Sequence, residues 1–347
     1  MKDMRSNRKT TVVWFVLLSF VLTMLISSCN IDRDLEECPY NARLEYWYTG
    51  TGQANILPDY IYRMKEFVFD SLQVLRQVNE LGGKKNIAAE LNLPPGRYTL
   101  VAWGNLDSCS SLNDSEVGRT KLTDILLYAN NPVPPSTRID LPLRQQNGEQ
   151  LYYGYASFTI KNRGVSRQRI DMVHAHLKLD VTVKWKGKAP ADTGDLYMSL
   201  NNMPSVYRFT PAFEVKGSPY STYGTAADGS PTRSGIWYYI PERSDDYPLI
   251  SYEVPVKMDI THSVNATFVT YRIGSDDHPV LRLYGGDKLL IKEIDLYKYF
   301  RTMQIDLDEN LRQEFSLVLE VDAGGGIIVS SATVSDWVDG GSIGGMI

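Results

Sequence analysis

The chain has 347 residues, 43% hydrophobic and 22% charged, a globular composition that excludes a disordered polypeptide. A formal charge of −5 and a pI near 5.5 leave no basic surface of the kind nucleic-acid binding requires. The 22 Tyr, 6 Trp and 10 Phe set against 4 His and 3 Cys favour a β-rich binding or structural protein over a metal or thiol enzyme, and the length suggests about two domains.

The N-terminus is the most informative segment. Lys2, Arg5, Arg8 and Lys9 precede 19 uncharged residues, 10–28, which is the architecture of a secretory signal. The run ends Leu25-Ile26-Ser27-Ser28-Cys29. An aliphatic side chain three residues before a cysteine, with small residues just before it, makes a lipobox. Small side chains are needed beside the scissile bond, and the thiol takes up diacylglycerol. A retained membrane helix would need about 20 apolar residues and a basic stop-transfer cluster. Asp32, Asp34, Glu36 and Glu37 follow instead. The expectation is a signal peptide over residues 1–28, a lipidated N-terminus at Cys29 and an acidic tether over 29–40. Loss of four bases and one acid with the signal takes the formal charge from −5 to −8. Two or three acyl chains anchor stably where one binds only marginally. Asn30 follows Cys29, so retention at an inner membrane through an aspartate is not signalled. Cys38 and Cys109 remain. An exported protein can keep one disulfide between them, and two unpaired thiols are the alternative. Neither lies in a CxxC pattern, so redox and zinc chemistry are not indicated.

From Asn41 onward the pattern is of short alternating strands broken by turns. Arg43–Tyr48 and Met64–Phe69 read as strands, and the stretch after Phe69 reads as helix-like. Ala88–Leu93, Pro94-Pro95-Gly96 and Tyr98–Trp103 read as a hairpin. In it Tyr98, Leu100 and Ala102 share one face and Thr99, Val101 and a buried Trp103 the other. Thr120–Tyr128 has helical spacing, and Ile139–Leu143 and Leu151–Ile160 return to strand. The polar run 162–169 marks the boundary between sandwiches at 41–163 and 164–337. In the second half His174–Trp185 alternates with Ala175, Leu177, Leu179, Val181 and Val183 on one face. Residues 217–235 read as a long loop. Further strands fall at Leu196–Leu200, Val206–Phe209, Ile236–Ile240, Tyr252–Met258, Ala266–Arg272, Val280–Tyr284, Phe315–Val321 and Ile327–Val334, with a short helix at Ile294–Phe300. Strands at this spacing without long helices indicate antiparallel β-sandwiches.

Candidate chemistry is sparse. His174-Ala175-His176 would place two imidazoles on one side of a strand, but no third ligand lies near in sequence. No metal site is expected, and the rings should face solvent or the other domain. Asp306-Leu307-Asp308-Glu309-Asn310 starts like a calcium loop, yet Leu311 and Leu317 stand where the turn glycine and bidentate glutamate belong. Asp245-Asp246 and Asp276-Asp277-His278 read as solvated turns, and Gly324-Gly325-Gly326 as a hairpin turn. No nucleophile elbow, P-loop or dinucleotide fingerprint occurs, so neither an enzyme nor a cofactor is expected. Aromatic-rich strands can stack carbohydrate, although tyrosine suits half-exposed sheets regardless.

The lipobox, the acidic stretch, Cys38-Pro39 and the strand ending Phe67-Val68-Phe69-Asp70 form a set. With it go Leu91–Asn105 around Pro94-Pro95-Gly96, Leu151-Tyr152-Tyr153-Gly154, and the terminal Val334-Ser335-Asp336-Trp337. The set resembles the fimbrial anchor (minor fimbrium subunit) lipoproteins of Bacteroides-type bacteria, across most of the mature chain. The resemblance implies an all-β chain of two tandem transthyretin-like antiparallel β-sandwiches. It implies a lipid anchor in the outer membrane, exposed at the cell surface, and a fimbrial stalk subunit as partner. In that system stalk subunits lose an N-terminal strand and accept a neighbour's C-terminal strand, by strand addition to a groove of unpaired backbone groups. An anchor with lipid at its N-terminus keeps its first strand and terminates the polymer at that end. The tail 338–347 is glycine-rich, which weakens a strand, so no strand of its own domain is expected there. Its Val338, Ile343, Met346 and Ile347 are candidates for a donor strand, with a disordered end as the alternative. A surface glycan-binding lipoprotein is the competing function.

Overall fold

The computed structural model describes residues 39–334 except 51, 53, 83–87, 131, 145, 191–193 and 217–236, together with 345–346. The first half contributes β1 (Ala42–Trp47), β2 (Arg63–Phe69), β3 (Leu75–Gly82), β4 (Ala88–Leu91), β5 (Gly96–Gly104), β6 (Ser110–Leu112), β7 (Leu126–Ala129), β8 (Leu143–Arg144), β9 (Tyr152–Ile160), β10 (Ser166–Asp171) and β11 (Val173–His174). The second contributes β12 (His176–Trp185), β13 (Leu196–Met203), β14 (Val206–Lys216), β15 (Trp237–Arg243), β16 (Ile250–Val256), β17 (Ser263–Tyr271), β18 (Val280–Gly285), β19 (Lys288–Leu289), β20 (Ile294–Asp295), β21 (Glu314–Val321), β22 (Ile327–Val334) and β23 (Gly345–Met346). The chain is all-β, as its alternating pattern predicts.

One sandwich pairs the sheet β10-β1-β4 with the sheet β11-β9-β5-β2-β3. Its core holds Leu44, Tyr46, Leu91, Leu100, Ala102, Tyr152 and Phe158. The other faces β17-β12-β21-β22-β23 with β19-β18-β13-β16-β8. A further sheet, β15-β14-β7-β6, lies between the halves. Period-two alternation sorts β2, β5 and β9 cleanly. Met64, Val68, Leu100, Ala102 and Tyr152 point into the first sandwich. Phe67, Phe69, Val101, Trp103 and Tyr153 point the other way, into a core continuous with the second half. Trp103 is fully buried, as expected, against Tyr153, Tyr207 and Phe209 at ring-centroid distances of 5.0, 5.6 and 5.9 Å.

Several sequence expectations change. Pro94-Pro95-Gly96 closes no hairpin: β4 pairs with β1, while β5 pairs with β2 and β9. The turn carries the chain from one sheet to the facing one. Two prolines supply no N–H donors, so a ladder cannot zip through them. The break at 162–169 does not part the halves either. β10 runs parallel to β1 from Ala42↔Ser166 to Trp47↔Asp171, and β11 pairs with β9, so the first sandwich extends past residue 163 to about His174. β10 reads as polar because of its strand residues only Ile170 is fully buried. Conversely, β7 and β8 leave the first half to pair with β14 and β16. The segment at Thr120–Tyr128 is a single 3-10 turn, Leu122–Asp124, followed by β7. The helix-like stretch after Phe69 contains β3, paired along β2. Ile139–Leu143 shortens to β8. The short helix near Ile294 forms at Leu296–Thr302, capped by Asp295, whose carboxylate accepts from Tyr297 N. Gly324-Gly325-Gly326 does turn the β21–β22 hairpin, with Gly325 at φ +81° and Asp322 accepting from the N–H groups of Gly324 and Gly326.

Candidate functional site

Where the halves meet, the chain passes from β11 to β12 through His174-Ala175-His176. Extended geometry puts both rings on one side, opposite Leu177 and Leu179 as parity predicts. The rings stack with centroids 4.3 Å apart and are 0% exposed, so the solvent alternative is excluded. Tyr152 meets both edge-on, at 5.0 and 5.4 Å. Tyr48, just beyond β1, stacks on His174 and places its hydroxyl 2.6 Å from Nε2. His176 Nδ1 lies 2.7 Å from the Leu151 carbonyl. A carbonyl only accepts, so Nδ1 carries the proton and Nε2 keeps a lone pair. His174 Nδ1, His176 Nε2 and the Tyr152 hydroxyl have no hydrogen-bond partner. Burial holds His174 well below the usual histidine range, helped by His176, and lowers His176 to about 4. Both rings are therefore neutral at neutral pH.

The third group, missing from the sequence reading, comes from 138 residues away. Glu314, the first residue of β21, brings a carboxylate oxygen within 4.8 Å of a nitrogen from each ring. Its Oε2 accepts from Arg312 Nη2 at 2.9 Å, and both side chains are 20% exposed at the rim of the cluster. No local signal in the sequence marks Glu314. It arrives through the parallel pairing of β12 with β21, which sets Lys178 opposite Glu314.

The other candidates are structural. Arg272 is fully buried and donates to the carbonyls of His174, Leu307 and Asn310 at 3.1, 3.0 and 3.0 Å. Burial lowers its pKa to about 10, and it remains a cation at neutral pH. This guanidinium organises the loop that resembles a calcium site. Asp306 Oδ1 is spent on the N–H groups of Asp308 and Glu309, and Asp308 Oδ1 on Ser275 N. Asp277 pairs with Arg243 and accepts from Gly274 N, and Asp246 pairs with Arg208. Cys109 is half-buried with a free thiol. Cys29 and Cys38, like Val338, Ile343 and Ile347, lie outside the described residues. Met346 is described at the backbone, where Gly345–Met346 pairs antiparallel with Ile328 and Val329 of β22. To that extent the tail does form a strand of its own domain, contrary to expectation: two residues suffice for a ladder on an edge already built by β22. Among the described residues no helix is long and apolar enough to cross a membrane.

A family profile described as fimbrillin-A associated anchor proteins Mfa1 and Mfa2 matches residues 35–338. The chain belongs to this family of fimbrial anchor proteins. A curated relative, the minor fimbrium anchoring subunit Mfa2 of Porphyromonas gingivalis, is 25% identical over 122 residues. That match spans 33% of this chain and 38% of the relative. The crystal structure of the fimbrial anchor protein Mfa2 from P. gingivalis superposes with a TM-score of 0.56 at 17% identity, covering 86% of this chain and 98% of that one. A Bacteroides thetaiotaomicron structure named for polysaccharide binding reaches 0.60 at 14% identity, over 88% and 98%. A Bacteroides ovatus structure named as an adhesin also reaches 0.60, at 15% identity over 89% and 97%. These likenesses establish the fold.

Proposed function

We propose that this protein is a lipid-anchored outer-membrane subunit that holds a fimbrial stalk at the cell surface and ends its polymerisation. The observation that carries the reading is the lipobox ending at Cys29, placed directly before a body of the anchor family. The position of β1 supports the terminating role. It lies at the centre of its sheet, with β10 on one edge and β4 on the other, and Leu44 and Tyr46 are fully buried in the core. A subunit that keeps such a strand has filled its own groove and has no vacancy there for a neighbour's strand. The glycan-binding alternative gains little. Tyr62 and Phe213 are the exposed large aromatics among the described residues; Tyr62 precedes β2 and Phe213 sits on β14, so they form no paired stacking platform on one sheet.

The test is to replace Cys29 with Ala, fractionate cells, and identify what co-purifies with the detergent-extracted parent. The parent should sediment with outer membrane and bring down a stalk subunit. The variant should move to soluble or medium fractions together with shed fimbriae. Retention of the variant in the membrane would mean that residues 10–28 remain as a helix, and a parent isolated repeatedly without any fimbrial subunit would overturn the anchor role.

A further inference from the structure

Outside any fimbrial role, the cluster at the junction presents an unusual chemical situation. Three buried polar atoms, His174 Nδ1, His176 Nε2 and the Tyr152 hydroxyl, lack partners in one small region. Unsatisfied buried groups are rare in native proteins and point to an unrecorded ligand or to strain. Two of the three are imidazole nitrogens. Each ring has its other nitrogen held by a hydrogen bond, His176 Nδ1 by the Leu151 carbonyl and His174 Nε2 by the Tyr48 hydroxyl. This is the outer-shell pattern that fixes tautomer and orientation in metal-bound histidines. In the His174 tautomer whose Nε2 donates to the Tyr48 hydroxyl, both free nitrogens present lone pairs. Glu314 completes a set of three potential ligand atoms within 4.8 Å of one another.

We propose that His174, His176 and Glu314 bind one zinc ion that pins the two sandwiches together. The ligands come from both sides of the junction: the histidines from the connection between the halves, oriented by Tyr48 and Leu151 of the first, and Glu314 from the second. Two imidazoles and a carboxylate suit zinc, whereas calcium and magnesium take oxygen ligands. Tetrahedral zinc holds its ligand atoms about 3.4 Å apart, so the three atoms, now within 4.8 Å of one another, draw together on binding and the stacked rings turn their lone pairs toward one point. Glu314, at the partly exposed rim, is the ligand free to move, and it also marks the entry path. Water takes the fourth position. The opposing force is Arg312, whose guanidinium holds Glu314 Oε2 and brings a competing positive charge to the rim of the site.

The experiment uses the mature chain without an affinity tag, freed of metal by a chelator, then titrated with zinc chloride by calorimetry. Metal content after dialysis is measured by elemental mass spectrometry. The expected result is one zinc per chain and a higher unfolding temperature with zinc than without. His176→Gln should weaken binding at least tenfold, and Glu314→Gln similarly. Arg312→Gln should tighten binding several-fold by removing a competing cation, a gain that damage to the fold cannot produce. A Cys38→Ser/Cys109→Ser double variant should bind as the parent does. A folded parent without stoichiometric zinc overturns the proposal and leaves the site to an ordered water. So does binding that survives the histidine and glutamate substitutions or disappears with the thiols. An Arg312→Gln variant no tighter than the parent removes Glu314 from the ligand set.

Discussion

The two faces of the sheet β11-β9-β5-β2-β3 look alike in sequence and do different work. One face, with Leu100, Ala102 and Tyr152, closes against β1, β4 and β10 and belongs wholly to the first sandwich. The other, with Val101, Trp103 and Tyr153, packs on Tyr207 and Phe209 of the second half and shares its core. Tyr153 donates to the Phe209 carbonyl at 2.8 Å, and Tyr207 to the Ala175 carbonyl at 2.7 Å. A sheet buried on both faces makes the halves one packing unit. The two sandwiches are therefore not two independent folding domains. For a protein proposed to bear load between a membrane and a fimbrium, a wide, hydrogen-bonded junction resists bending where a linker would not.

The largest effect should come from cutting the chain. A fragment ending at residue 163 loses β10, the parallel partner of β1, and exposes Trp103, Phe67 and Tyr153. It should be insoluble or lack cooperative unfolding by circular dichroism, and a soluble fragment with a sharp transition would show the first half to be autonomous. Next comes Trp103→Ala, which should cost about 3–5 kcal/mol for loss of a buried aromatic. In double-mutant cycles Trp103 should couple to Phe209 by about 0.5–3 kcal/mol, while Leu44, in the other core, should combine additively with Phe209. Coupling of the reverse pattern would place Trp103 in the first core instead.

The smallest effect concerns a charge within the first core. Glu66 is fully buried on β2, where Tyr46 and Asn79 donate to its carboxylate. Burial raises its pKa above the usual glutamate value, although both hydrogen bonds oppose that shift. A carboxyl with a raised folded-state pKa holds its proton more tightly when folded. Its contribution is fully present below the unfolded pKa and is lost as pH rises through the folded value. Glu66→Gln should therefore flatten stability against pH in the weakly acidic range and raise the unfolding temperature at neutral pH, read from thermal melts at several pH values. A variant less stable than the parent at neutral pH would mean the ionised carboxylate is needed by Tyr46 and Asn79.

The all-β architecture, most of the strands and the facing of β5 were legible along the chain, because a two-residue period and turn residues are local signals. Tyr98, Leu100 and Ala102 separate from Val101 and Trp103 by parity alone. The proposed lipobox is a local signal of the same kind, a short linear segment ending at Cys29. What lay beyond the sequence was partnership. Pro94-Pro95-Gly96 announces a turn without saying whether the two strands share a sheet, and β4 and β5 do not. The polar residues of β10 suit the edge of a sheet as well as a linker, and only pairing with β1 decides between them. His174 and His176 were visible as a same-side pair, but Glu314 joins them only because β21 lies beside β12. Ladder choice depends on contacts between residues far apart in the chain, and burial of a polar pair depends on what the rest of the molecule lays over it. Neither is written in the neighbouring residues, so the approach of Glu314 to the histidine pair and the shared core came from tertiary structure alone.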